Sequence, residues 1–243
     1  MDLQEGQCAD APTLAAFVAA RRSPGATYVI GLTGSVASGK STLAAAVVAA
    51  LAEAHALSAE LVGADGFLFP NSVLAAQDLL ARKGFPETYD SAAMARAIAA
   101  ARTGPAEVPI YSHVLYDIDP SQTRRFARPD VLVLEGLGLP PAGAVDLLDL
   151  FIYLDADEAD LARWFLARFR AQLDVARTDP SSFYVRFLAL SPEQADAFAL
   201  DVWEKINLAN LRAHIAPLRD VADLVLRKDA DHALQAAAVR ARL

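Results

Sequence analysis

The 243-residue chain has one cysteine, Cys8, and four scattered histidines. An internal disulfide is therefore excluded, no Cys/His spacing points to zinc, and a reducing compartment is the default expectation. Positive charge is also scarce: 22 lysines and arginines face 30 carboxylates, for a formal net charge of −8. Such a balance gives no reason to meet a phosphate backbone, and the pair Arg124 and Arg125 is too small to reverse it, so nucleic acid is not an expected partner. Long apolar runs are missing too. "LAAFVAA" at 14–20 is too short to cross a bilayer, and the first five residues lack the basic start of a secretion signal. A cytoplasmic chain without a membrane partner is expected. No internal repeat or low-complexity linker divides it. What is present is apolar, 54% of residues against 21% charged, enough for one large core. Residues 1–243 are read as a single domain, with 1–27 as an N-terminal arm.

Hydrophobic patterning orders the elements. "YVIGLT" at 28–33 runs into Gly34, and residues 40–56 continue in alanine and leucine without glycine or proline: strand, loop, helix. "AELVGA" at 59–64 is a second strand, followed by helical stretches at 71–82 and 91–102. "VLVLE" at 131–135 and "LFIYLDA" at 150–156 are near-continuous apolar runs, as expected of strands buried on both faces. "DLVLRK" at 223–228 reads as a further strand before a final helix, and the stretches 104–109 and 138–143, rich in Pro and Gly, read as loops. Residues from about 157 to 213, interrupted at Thr178-Asp179-Pro180 and Ser191-Pro192, read as a helical lid over one sheet edge. Strands alternating with helices predict an α/β fold with a doubly wound, mainly parallel sheet.

One stretch carries chemistry. "GSVASGKS", residues 34–41, fits G-x-x-x-x-G-K-[ST] in full between a predicted strand and a predicted helix. The pattern predicts the P-loop NTPase type of sheet, with Gly34, Ser35, Val36, Ala37, Ser38, Gly39, Lys40, Ser41 and Thr42 around the phosphates of ATP. Glycines let successive amides turn toward phosphate oxygens at a helix N-terminus. Lys40 is then expected at the β- and γ-phosphates and Ser41 on Mg²⁺. A glycine turn that merely caps a helix is the plain alternative. There is no N-K-x-D guanine-reading motif and no serine-glycine-glycine signature, which leaves mainly kinases. Asp65 lies 25 residues after Lys40 at the end of the next strand, and in a parallel sheet those ends share one ligand-binding edge. A carboxylate there can take the proton of an attacking hydroxyl; a turn or N-cap aspartate is the alternative. Phe67, Phe69 and Pro70 are expected to wall the pocket or pin the turn. Glu135 closes "VLVLE" on the same edge and is a candidate to hold the metal, or else a strand-end carboxylate in solvent.

The segments "GLTGSVASGKST", "ADGFLFPNSVL", "RKGFPETYD", "PIYSHVLYDI", "DVLVLEGL", "TDPSSFY" and "INLANL" follow one another as closely similar segments do in type I (prokaryotic) pantothenate kinases. The resemblance covers roughly residues 28–228. It implies ATP-dependent phosphorylation of the primary hydroxyl of pantothenate, the entry step to coenzyme A, in a homodimer. It also implies that Asp65 is the catalytic base, that Arg168 approaches the phosphates, and that Tyr111, His113 and Asn207 contact the small-molecule alcohol. Read on their own, Tyr111 and His113 are equally ordinary loop packing, and Asn207 a helix-surface amide. Some positions depart from the family. Phe165 stands where a substrate-contacting tyrosine is expected, and Gly138 where asparagine is common. Ala45 replaces an arginine that helps bind coenzyme A as feedback inhibitor. A kinase of another small alcohol (sugar, glycerate or nucleoside) and a nucleotide-binding regulatory protein without catalysis are the competing readings.

Overall fold

At the centre of the computed structural model, which describes residues 3–140 and 145–240, lies the strand that leads into the glycine-rich loop. β1 (Tyr28–Gly34) is flanked on one side by β5 (Val131–Glu135) and β2 (Ala59–Gly63), and on the other by β6 (Leu150–Asp155), β7 (Leu224–Lys228) and β8 (Leu234–Val239). The sheet order is β2-β5-β1-β6-β7-β8, parallel throughout except that β8 runs antiparallel to β7. The expected doubly wound, mainly parallel α/β sheet is therefore what the chain forms.

Side-chain alternation along the strands feeds two cores. Val29, Leu132, Leu134, Phe151 and Tyr153 face α4 (Ser91–Thr103) through Met94 and Ile98. Their neighbours Ile30, Leu32, Val133, Leu150 and Ile152 face α1 (Ala11–Arg21) and α2 (Lys40–His55) through Leu14, Phe17, Leu43, Val47 and Leu51. Each large side chain so buried contributes roughly 1.5–3 kcal/mol. α1 begins where Asp10 accepts the Thr13 amide at 3.0 Å, a side-chain cap for an otherwise unpaired donor.

Between 157 and 213 the chain builds a smaller apolar cluster of its own. Phe169 and Leu173 of α5 (Glu158–Ala176) pack on Ala195 and Ala199 of α6 (Pro192–Val202), with Tyr184 and Phe187 from a 3₁₀ turn at Phe183–Phe187. Ser191 and Gln194 form a capping box that starts α6. Two π-helical turns follow, Trp203–Asn207 and Leu211–Ile215. No helix of the described residues is long and apolar enough to cross a membrane.

Four expectations are corrected. The segment after β7 is not a final helix but β8, because "LQAAAV" finds a sheet edge to pair with, which overrides alanine's helical preference. The helix expected over 71–82 is α3 (Asn71–Ala76) and then breaks: Asp78 adopts φ +57°, and a 3₁₀ turn covers Leu80–Arg82. The stretch 104–109 is not wholly loop, since Ala106 opens a strand. β3 (Ala106–Ser112) pairs antiparallel with β4 (Asp117–Phe126), with a register shift between Pro109 and Ile110. Finally, of the two roles expected for Phe67, walling the pocket or pinning the turn, its core position at 3% exposure fits only the second, and Leu68 lines the cavity. Residues 141–143 of the expected 138–143 loop lie outside the described residues.

Candidate functional site

β1 ends at Gly34, where φ is +145° and an added Cβ would stand 2.3 Å from the Leu154 carbonyl oxygen. Only glycine fits both conditions. The chain then turns through Ala37 at φ +63° and Gly39 at φ +92°, and α2 begins at Lys40. Val36 and Ala37 line the cavity described below, while Thr42 is exposed on the first turn of α2. Lys40 is buried and donates to the Ser35 carbonyl at 2.7 Å. Burial pulls its pKa down to about 8, against the opposing pull of Glu135 and Asp65 and with help from Arg168. Lys228 from β7 donates to the Ser38 carbonyl at 2.9 Å, so a cation braces the far side of the loop. The hydroxyls of Ser35 and Ser38 are buried without a partner among the described residues. A helix N-terminus, a desolvated ammonium and orphaned hydroxyls are the features a nucleotide's phosphates would satisfy.

Register explains how the carboxylates meet this loop. Glu135, the last residue of β5, pairs with Leu32 of β1 and with Gly63 of β2, so it stands at the shared C-terminal edge. Its Oε1 accepts the Ser41 hydroxyl at 2.8 Å. Glu135 is thus not an isolated strand end. One hydroxyl and one carboxylate are a fitting start for a hard cation that takes its other ligands from phosphates and water. No cluster of three or more His, Cys, Asp or Glu able to hold a metal exists among the described residues.

Asp65 lies in a 3₁₀ turn, Ala64–Phe67, directly after β2. Its carboxylate accepts the Tyr89 hydroxyl at 3.1 Å and caps no helix. The turn is pressed against the β3–β4 hairpin, since an added Cβ at Gly66 would stand 2.6 Å from the Pro109 carbonyl oxygen.

Lys40, Ser41, Asp65 and Glu135 open into one cavity of about 360 Å³. It is lined by Lys40, Ser41, Asp65 and Glu135 from the sheet edge, by Tyr111 and His113 from the hairpin, and by Phe165, Arg168 and Asn207 from the helical region. Tyr111 and His113 meet edge to face at 5.1 Å. Phe165 leans on Trp203 with centroids 5.8 Å apart. Asn207 ends the first π-turn, where the widened helix changes the direction of its side chains. Except for Thr42, on the first turn of α2, every candidate residue singled out for acceptor, metal or phosphate chemistry borders the cavity or belongs to its glycine-rich loop.

Several cavity residues had no role assigned from the sequence. Lys83 donates to Asn71 Oδ1 and to the Tyr116 carbonyl, both at 2.6 Å, and rests over the rings of Tyr111 and Tyr116 at 4.9 and 4.5 Å. Burial lowers its pKa to about 8, with Asp117 and Asp65 pulling the other way. Tyr116 in turn stacks on Phe183 at 4.4 Å, and the Phe183 amide donates to the Val114 carbonyl at 2.9 Å. The hairpin and the 3₁₀ turn of the helical region are thereby joined beside the cavity. "RKGFPETYD" and "TDPSSFY" were the available signals for Lys83, Tyr89 and Phe183. Nothing local pointed to Lys228, 190 residues from Ser38.

Comparisons with known proteins agree with this geometry. Residues 29–170 match the phosphoribulokinase/uridine kinase family. A pantothenate kinase of Bradyrhizobium diazoefficiens is 41% identical over 227 residues, covering 88% of this chain and 71% of that protein. One of Mycolicibacterium smegmatis is 44% identical over 214 residues, covering 85% and 69%. Among solved structures, a putative fructose transport system kinase from Silicibacter sp. TM1040 superposes with a TM-score of 0.70 at 26% identity, covering 84% of this chain and 93% of that one.

Proposed function

Because the chain belongs to the phosphoribulokinase/uridine kinase family, and within it to the pantothenate kinases, we propose that it transfers the γ-phosphoryl group of ATP to the primary hydroxyl of pantothenate. The observation that carries the proposal is the convergence of Asp65, Lys40, Arg168 and the Ser41–Glu135 pair on one cavity. Asp65 accepts the acceptor's hydroxyl proton as that oxygen attacks the γ-phosphorus and the bond to the leaving ADP oxygen breaks. Lys40, held beside the loop, and Arg168, reaching in from α5, stabilise the charge that spreads over the transferring oxygens. Mg²⁺, when bound, neutralises phosphate charge; Ser41 would hold it, with Glu135 directly or through water. Tyr111, His113 and Asn207 orient the acceptor, and the enzyme works as a homodimer in the cytoplasm.

Phe165 favours a second reading, a kinase of a sugar, glycerate or nucleoside. It offers the cavity no hydroxyl, and a site missing one hydrogen bond can change its preferred substrate by orders of magnitude. ADP release measured across a panel of these alcohols separates the readings. Pantothenate-dependent turnover is the expected result; turnover only with another alcohol overturns the substrate, and tight ATP binding with no turnover overturns catalysis. Coenzyme A added to the same assay is expected to leave the rate unchanged, because Ala45, exposed on α2, presents no charge to it.

A further inference from the structure

We infer that Tyr89 is a positioning residue of the phosphoryl transfer: held in a cleft that Gly138 leaves open, its hydroxyl fixes Asp65 for the acceptor. The inference rests on the reading of Asp65 as the base and adds to it the group that aims the base. Tyr89 is 5% exposed, and its hydroxyl donates to Asp65 Oδ1 at 3.1 Å. That bond occupies one carboxylate oxygen and leaves the other for a substrate proton.

The backbone around Tyr89 is pinned to the turn it serves. The Asp90 amide donates to the Phe67 carbonyl at 2.8 Å, the Phe69 amide to the Thr88 carbonyl at 2.9 Å, and Tyr89 bridges Leu68 as a short antiparallel pair. Phenol and carboxylate therefore belong to one rigid unit. The ring lies over Gly138, where an added Cβ would stand 2.8 Å from two ring carbons. No side chain other than hydrogen is compatible with that placement unless the ring moves. Burial, with Asp65 next, raises the phenol's pKa well above its usual value, so Tyr89 stays a donor throughout the working range. It cannot compete with Asp65 for the substrate's proton, and its contribution is orientation.

Orientation of a reacting group is worth roughly tenfold to a hundredfold in rate when its support is lost. Tyr89→Phe is accordingly expected to lower kcat by about tenfold while the KM values for ATP and for the acceptor stay within about twofold. In an Asp65→Asn background the same substitution is expected to cost nothing further, since no base remains to be aimed. Gly138→Ala keeps the hydroxyl but displaces the ring, and the same loss confined to kcat is expected, which serves even if Tyr89→Phe folds poorly. Wild-type kcat in Tyr89→Phe beside a crippled Asp65→Asn overturns the positioning role alone. An equal loss in both backgrounds also overturns it, marking a general structural effect. Wild-type kcat in Asp65→Asn overturns the base reading, and this inference with it.

Discussion

Lys40 shows how far a single residue can be read before a structure exists. Its place in "GSVASGKS" marks it as the lysine expected at the phosphates, but does not show that burial brings its pKa to about 8. Between roughly pH 8 and 10.5 the folded chain then binds fewer protons at this site than the unfolded chain, so stability rises with pH across that interval. Lys83, also at about 8, acts in the same direction. Tyr28, Tyr116 and Tyr153, raised to about 12, begin to oppose both near pH 10. Urea unfolding is therefore expected to show a gain of up to about 1 kcal/mol per pH unit from buried Lys40 between pH 8 and 9.5, with a smaller, solvent-screened gain from half-buried Lys83. A bound phosphate should return the proton to Lys40. Calorimetry in two buffers at pH 9 is expected to show proton uptake on nucleotide binding, retained in Lys83→Met; binding without uptake would contradict the buried, deprotonating lysine.

Among the elements, the strands most legible from sequence were those buried on both faces, because "VLVLE" and "LFIYLDA" need no partner's identity to be recognised; the edge strand β2, only partly buried, was read from "AELVGA" as well. β3 and β4 were not, because among its described residues their hairpin buries only Ala106, Val108 and Phe126, on one side, and its sequence carries Pro109 and Pro120. β8 was misread because alanine is silent about a sheet edge that exists only in three dimensions. The hairpin nonetheless lines the cavity with Tyr111 and His113 and presses Pro109 against the turn of Asp65. Gly66→Ala tests that contact. Its Cβ would meet the Pro109 carbonyl oxygen at 2.6 Å, and neither backbone can yield without shifting. A loss of about 1–3 kcal/mol in stability is expected, with a lower kcat for the displaced carboxylate; unchanged melting and turnover would show that hairpin and turn are not in firm contact.

For the molecule as a whole, the N-terminal residues are a working part of the sheet. Residues 6–9 lie along β8, the Gly6 and Ala9 amides donating to the carbonyls of Ala236 and Leu234 at 2.8 and 3.0 Å and the Ala236 amide to Gln7 at 2.9 Å. An edge so covered is protected from pairing with other chains. Deleting residues 1–9 is expected to lower Tm and to raise light scattering on heating, with kcat unchanged because neither residues 3–9 nor β8 line the cavity; a deletion that melts and scatters like the full chain would show the edge needs no cover. The same strand order has a consequence for biosynthesis. β1 and its glycine-rich loop are made before their partners: both neighbours of β1 end at residues 135 and 155, and the lysine that braces Ser38 arrives only at 228. A nascent chain thus carries its nucleotide motif before the strands and the lysine that flank it have been made, and ligand capture is expected to begin only once residue 228 is in place.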